Sequence, residues 1–282
     1  MKTTRFGLYI PNFGELSKPS NITKLARTAE DNGWNGIFLW DHIPVEASMP
    51  AYDPWLLLTL IATNTEKIHL GTTVTPLARR RPQKIAKEVA TLDHICGGRV
   101  ILGVGLGGKK EYVAYGESYK PRKVAEKLDE CLVIIQLLWT GEPVDYQGRH
   151  YSVTAQHSPK PVQSQIPIWV GGNWPNKRPF RRAAKYQGVF PLKARARGFE
   201  ESLIEGDYVD ILEYIGQNGG DLENYDVVKS VYSDSDSEKN SWIQGYVDVG
   251  VNWVLECLDP WRGSVESLFE VVERGPPQLE KK

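Results

Sequence analysis

The sequence predicts an α/β fold, specifically a TIM (β/α)8 barrel with an extra hairpin inserted after its fourth helix. Three observations lead there. Short apolar runs rich in β-branched residues alternate along the chain with stretches of helical periodicity. Eight such strands can be counted, each followed by a helical stretch, and an even eight favours closure over the alternative of an open doubly wound sheet. The 282 residues accommodate a barrel of about 250 residues without strain. No linker divides the chain, so 1–282 reads as a single domain, with 274–282 expected to be a loose tail.

The first strand is Phe6-Gly7-Leu8-Tyr9-Ile10, ended by Pro11 and Asn12. Ser20 or Asn21 can cap the first helix, whose inner face is Leu25, Ala26 and Ala29 and whose stop is Gly33. Gly36 to Trp40 is the second strand, followed at once by Asp41 and His42. Asp53 or Pro54 opens a helix through Leu56, Leu57, Leu60 and Ile61. Ile68 to Val74 is the third strand. Pro82 starts a helix with an Ile85, Ala86, Val89, Ala90 and Leu92 face, and Gly97-Gly98 stops it. Val100 to Val104 carries no polar residue, as suits a strand buried on both faces of a parallel sheet. A long helix runs from Pro121 to Trp139, and the alternating Gly141 to Val153, turning at Gln147-Gly148, is the hairpin outside the repeat. Ile168 to Gly172, Gly188 to Pro191, Tyr225 to Tyr232 and Asn252 to Glu256 are the remaining strands. Their helices fall near 179–186, 202–216, before Val249, and around Val265 to Val272.

The net charge of −1 gives no electrostatic case for nucleic acid or a membrane surface. Cys96, Cys131 and Cys257 form no metal-ligand spacing and no disulfide framework. No signal peptide and no span of about 18 apolar residues is present, so the expected compartment is the cytoplasm. Residues just after each strand of such a barrel converge on one mouth. Here they are Asn12; Asp41 and His42; Thr72, Thr73, Thr75 and Arg79-Arg80-Arg81; Gly105, Leu106, Gly107, Gly108, Lys109 and Lys110; Gly171, Gly172, Asn173, Lys177 and Arg178; then Lys193, Arg195 and Arg197. A neutral chain with a basic mouth points to an anionic ligand, with Lys193, Arg195 and Arg197 as candidate substrate contacts. Histidine is the side chain that exchanges protons near neutrality, and Asp41 is placed to orient or charge His42. Glycines at Gly105, Gly107, Gly171 and Gly172 allow close backbone approach to a ring or anion. Trp40, Trp55, Trp174, Tyr112 and Tyr115 could line a pocket or fill the core.

The ordered run Gly71-Thr72-Thr73-Val74-Thr75-Pro76, Arg79-Arg80-Arg81-Pro82, Ala90-Thr91-Leu92-Asp93, Gly97-Gly98-Arg99 and Gly103-Val104-Gly105-Leu106-Gly107 resembles the luciferase-like monooxygenase family. Members use FMN or coenzyme F420. The resemblance implies that His42 serves in proton transfer and that Asp41 contacts the cofactor. It also implies a non-prolyl cis peptide near Thr72-Thr73, and a cofactor site built from Thr72, Thr73, Thr75, Gly105, Leu106, Gly107, Gly171, Gly172 and Asn173. It departs from the F420-dependent sugar-phosphate dehydrogenases, whose catalytic glutamate after strand four falls here at Gly108 or Lys109, with Glu111 a step or two away. The leading expectation is a monooxygenase using reduced FMN, supplied by a separate flavin reductase, and dioxygen on a small organic substrate. The alternatives are F420-dependent hydride transfer and a non-catalytic flavin-binding barrel. Barrels of this family often pair, so a homo-oligomer is also expected.

Overall fold

The computed structural model of the protein describes residues 3–44, 49–156, 160–194, 202–236 and 240–279. Its strands in chain order are β1 (Arg5–Ile10), β2 (Gly36–Leu39), β3 (His69–Pro76), β4 (Val100–Gly105), β5 (Pro143–Gln147), β6 (Ser152–Gln156), β7 (Ile168–Trp174), β8 (Gly188–Lys193), β9 (Asp226–Val231) and β10 (Trp253–Cys257). All but β5 and β6 pair in parallel and close a barrel, in the order β1-β10-β9-β8-β7-β4-β3-β2. The closing pairs align Arg5 with Trp253 and Gly7 with Gly36.

The helices are α1 (Pro19–Asp31), α2 (Pro54–Thr63), α3 (Pro82–Cys96), α4 (Lys109–Ala114), α5 (Pro121–Trp139), α6 (Lys177–Ala183), α7 (Glu205–Gln217), α8 (Trp242–Asp248) and α9 (Val265–Arg274). Proline opens α1, α2, α3 and α5, where its missing N–H costs no helical bond. The Asp53 carboxylate caps α2 by accepting from the N–H groups of Trp55 at 2.9 Å and Leu56 at 3.2 Å. Gly97 ends α3 in the left-handed region at φ 67°, which a side chain would resist.

Two apolar layers result. Leu8, Ile10, Leu25, Leu70, Ile85, Val104 and Val254 pack between sheet and helices. The barrel interior is filled by Tyr9, Phe38, Trp169, Phe190, Trp253 and Leu255. The alternation of Trp253, Val254 and Leu255 between the layers is the two-residue period of a strand lining a barrel. The aromatic interior is a packed core, and it leaves chemistry to the mouth.

The hairpin lies where expected, against the long helix. Glu130 of α5 accepts the N–H groups of Arg149, His150 and Tyr151 at 3.0, 3.0 and 3.1 Å. The hairpin follows α5, the predicted fourth helix, and the six-residue α4 (Lys109–Ala114) is an additional short helix between β4 and α5. Of the tail expected to be loose, Leu279 packs against the outer core and Gly275 donates to the Val272 carbonyl at 3.2 Å. No described helix is long and apolar enough to cross a membrane.

Candidate active site

His42 follows β2 by three residues, and its backbone is clamped from the neighbouring strand. Asn12, buried just after β1, accepts the His42 N–H at 3.0 Å and donates through Nδ2 to the carbonyls of His42 at 2.9 Å and Tyr52 at 2.8 Å. The imidazole is 46% exposed at the mouth, so a ligand can reach it. Its Nδ1 contacts Glu111 Oε1, and the other Glu111 oxygen is taken by Arg79 Nη1. Glu111 stands in the first turn of α4, which Tyr112 ties to the end of β4 by donating to the Leu106 carbonyl at 2.9 Å. Burial raises the Glu111 pKa, but the hydrogen bond and charge of His42 and the guanidinium of Arg79 outweigh it and hold the carboxyl below its ordinary value.

Asp41 does something else. Its buried carboxylate accepts Arg80 Nη2 on both oxygens at 2.9 and 2.8 Å, and Thr75 Oγ1 at 2.9 Å. Thr75 Oγ1 lies 2.9 Å from Thr72 Oγ1, which donates to the Gly103 carbonyl at 3.1 Å. The carboxylate that orients His42 is therefore Glu111, because Arg80 and Thr75 turn Asp41 toward β3. Glu111 and Asn12, with Arg79 behind Glu111, are the neighbours the fold brings to His42, and Arg80 is the one it brings to Asp41. Loop chemistry alone does not place Glu111; the one helical turn of α4 is what brings it over β4.

The basic residues of the mouth divide. Arg79 and Arg80 are each matched by a carboxylate, and the Lys177 ammonium lies 3.7 Å from the Trp174 ring centre and 4.7 Å from that of Tyr214. Lys193 is exposed at the end of β8, whereas Arg195 and Arg197 lie outside the described residues.

The ends of β3, β4 and β7 meet around Val74. A Cβ on Gly105 would stand 2.5 Å from Val74 Cγ2, and one on Gly171 would stand 2.9 Å from Val74 Cγ1. Gly107, at φ 77°, would press on Pro76, and Gly172 on Pro179. These glycines thus let three strand ends close around one half-buried valine. Leu106 is partly buried beside them and Asn173 is exposed. Thr72, Thr73 and Thr75 are all buried, and the Thr73 hydroxyl has no hydrogen-bond partner among the described residues. The non-prolyl cis peptide is Thr73–Val74, one link beyond the expected Thr72–Thr73, within the register shift between Thr72 and Thr75. Of the aromatic candidates, Trp55, Trp174 and Tyr112 are buried and Tyr115 is exposed. Trp40 packs 5.5 Å from the His42 ring centre.

The chain is similar to known proteins. The F420-dependent glucose-6-phosphate dehydrogenase of Nakamurella multipartita is 33% identical over 163 residues, a match covering 56% of this chain and 48% of that protein. The chain thus spans about half the length of the curated relatives it matches. The solved coenzyme F420-dependent tetrahydromethanopterin reductase of Methanopyrus kandleri superposes with a TM-score of 0.78 at 21% identity, over 97% of this chain and 98% of that one. The FMN complex of the oxygenating constituent of 3,6-diketocamphane monooxygenase from Pseudomonas putida gives 0.72 at 15% identity, over 97% of each chain. Both structural likenesses show the barrel fold. The family described as luciferase-like monooxygenase matches residues 4–202, a stretch that runs from β1 through His42, the Val74 turn and Glu111, and the chain belongs to that family.

Proposed function

We propose that the chain is a coenzyme F420-dependent oxidoreductase that interconverts an alcohol and a carbonyl compound. The observation that carries this reading is the His42–Glu111–Arg79 contact. Arg79 helps hold Glu111 as a carboxylate, and a carboxylate only accepts. The Nδ1 proton of His42 is therefore directed at Glu111, and Nε2 is the nitrogen left to take or return a proton at the mouth. That is the arrangement of a positioned general base or acid.

The residues suited to hold the cofactor are Gly105 and Gly171, which flank Val74, with Gly107 and Gly172 close to them in sequence, and Thr73, whose buried hydroxyl has no partner among the described residues. When bound, F420 would accept or donate the hydride that balances the interconversion of carbinol and carbonyl. In the oxidative direction His42 Nε2 takes the substrate hydroxyl proton. In the reductive direction His42 returns the proton to the forming alkoxide. Glu111 stabilises the imidazolium in both. The similarity to an F420-dependent dehydrogenase supports this reading. The reading with reduced FMN and dioxygen, with a separate reductase, draws its support from the family description and the FMN-bound neighbour. It gives the buried Glu111 no evident task.

The deciding experiment titrates the purified protein with F420, FMN and reduced FMN and follows fluorescence. F420 is expected to bind more tightly than either flavin. Preference for reduced FMN would turn the reading to oxygenation. Binding of none, with a folded barrel by circular dichroism, would leave a non-catalytic barrel.

A further inference from the structure

The barrel mouth has two chemically different halves, and only one is described by the strand ends around Val74. The other is aromatic. Phe13, after β1, lies 5.8 Å from Trp40 and 5.9 Å from Trp261 between ring centres. His42 joins the same group, 6.4 Å from Phe13 and 5.5 Å from Trp40. Tyr9, from the barrel interior, closes the group from below at 5.2 Å from Trp40. These residues come from the ends of β1, β2 and β10, strands adjacent in the barrel.

The arrangement is held by backbone contacts that do not depend on a ligand. Gly14 N–H donates to the Pro50 carbonyl at 3.0 Å and Tyr52 N–H to the Asn12 carbonyl at 2.8 Å, so Phe13 is fixed on both sides. Trp261 N–H donates to Asp259 Oδ1 at 3.0 Å. Yet Trp261 is 67% exposed, a large apolar side chain presented to solvent on a pinned backbone next to the accessible imidazole. A fixed apolar surface with one convergent polar group is the usual make-up of a small-molecule site. Two of the mouth's guanidinium groups are already matched, Arg79 with Glu111 and Arg80 with Asp41.

We propose that the Phe13–Trp40–Trp261 wall is the substrate-specificity surface and that it receives an uncharged cyclic or aromatic body, with the reacting carbinol or carbonyl carbon at His42. The assignment of the reacting carbon rests on the function proposed above; the wall itself does not. This substrate class differs from a sugar phosphate, whose charge the Phe13, Trp40 and Trp261 rings do not match.

The test uses 1-phenylethanol as the uncharged probe and glucose 6-phosphate as the charged one. Each is titrated into the full chain by calorimetry, with and without F420, for the wild type and for Trp261→Ala and Phe13→Ala. Circular dichroism controls for folding. The expected result is binding of 1-phenylethanol in preference to glucose 6-phosphate, weakened about tenfold or more in either variant. F420 affinity should stay within about twofold, and in turnover the loss should fall on KM more than kcat. Tighter binding of glucose 6-phosphate, or variants that bind 1-phenylethanol as the wild type does, would overturn the proposal. Failure of F420 to bind, with 1-phenylethanol still bound and weakened by both substitutions, would sink the cofactor reading and leave the wall standing. Absence of binding by either probe to the folded protein overturns the wall.

Discussion

The chemistry of this mouth turns on pairs of side chains that the sequence keeps far apart. His42 and Glu111 are 69 positions from one another, and Asp41 and Arg80 are 39. Position at a strand end identified His42 and Asp41 as candidates, but only the fold decides which carboxylate faces the imidazole. If Glu111 fixes the His42 tautomer, Glu111→Gln should lower turnover by about tenfold to a hundredfold while leaving F420 affinity within about twofold, and its pH profile should shift. His42→Ala should lower turnover at least about tenfold with the fold and cofactor affinity kept. A steady-state pH series on both variants checks this, and wild-type turnover in His42→Ala would remove the imidazole from the mechanism. A second buried ion is legible only in the structure. Lys229 of β9 lies outside the barrel interior, donates to Ser202 Oγ at 2.6 Å and sits 4.3 Å from the Tyr246 ring centre. Burial pulls its pKa from 10.5 down to about 8. The folded state therefore holds fewer protons than the unfolded chain between those values, so the cost of the buried charge is present below about pH 8 and is relieved as pH rises to 10.5. The drop from 10.5 to about 8 corresponds to roughly 3 kcal/mol. Lys229→Met should thus gain most over the wild type near neutral pH and lose that advantage toward pH 10.5, as read from unfolding midpoints across the range. A gap that does not change with pH would contradict the assignment.

Elements were readable where local chemistry states them plainly. The proline starts of α2, α3 and α5 and the Asp53 cap appear in the chain as written, as do the apolar runs of β1, β4 and β10. The cap has a measurable consequence: Asp53→Ala should destabilise the protein by about 1 kcal/mol, lowering the thermal midpoint by about 2–4 °C, because two N–H groups of α2 lose their acceptor. An unchanged midpoint by calorimetry would mean that solvent or a neighbour replaces the carboxylate at once. The failure at α4 has an equally local cause. Lys109–Ala114 is six residues long, follows a glycine pair and has no side-chain cap, so nothing in its composition competes with a loop reading. Its stability is tertiary: Tyr112 is buried beside Ala78 and Val124 and anchored to Leu106. The same reasoning explains why the wall of Phe13, Trp40 and Trp261 was only a third visible. Trp40 ends a strand, whereas Phe13 and Trp261 lie in loops whose approach is set by barrel closure.

At the scale of the whole molecule, a net charge of −1 hides a specific placement of acid groups at both ends of the barrel. At the mouth, Glu111 joins α4 to β2 through His42 and to the Leu77–Arg79 turn through Arg79. At the opposite end, Glu30 of α1 accepts the N–H groups of Glu66, Lys67 and Ile68 at 2.9, 2.7 and 3.0 Å, tying that helix to the approach to β3. Both carboxyls lie below their ordinary value of 4.5. For Glu30, burial pushes up while the three backbone hydrogen bonds prevail; for Glu111, burial pushes up while His42 and Arg79 prevail. A depressed folded pKa means that the unfolded chain binds the proton more readily, so the stability each group contributes is fully present above 4.5 and is lost as pH falls through its folded value. The two groups share no partner and stand at opposite ends of the sheet, so their contributions should add. Glu30→Gln should lower the stability at neutral pH, and both Glu30→Gln and Glu111→Gln should flatten the decline of the unfolding midpoint as pH falls below 4.5. The double variant should flatten it by the sum of the two. A double variant with the acid decline of the wild type would mean that other carboxylates govern acid unfolding, and that neither end of the barrel is held by its hydrogen-bonded carboxylate.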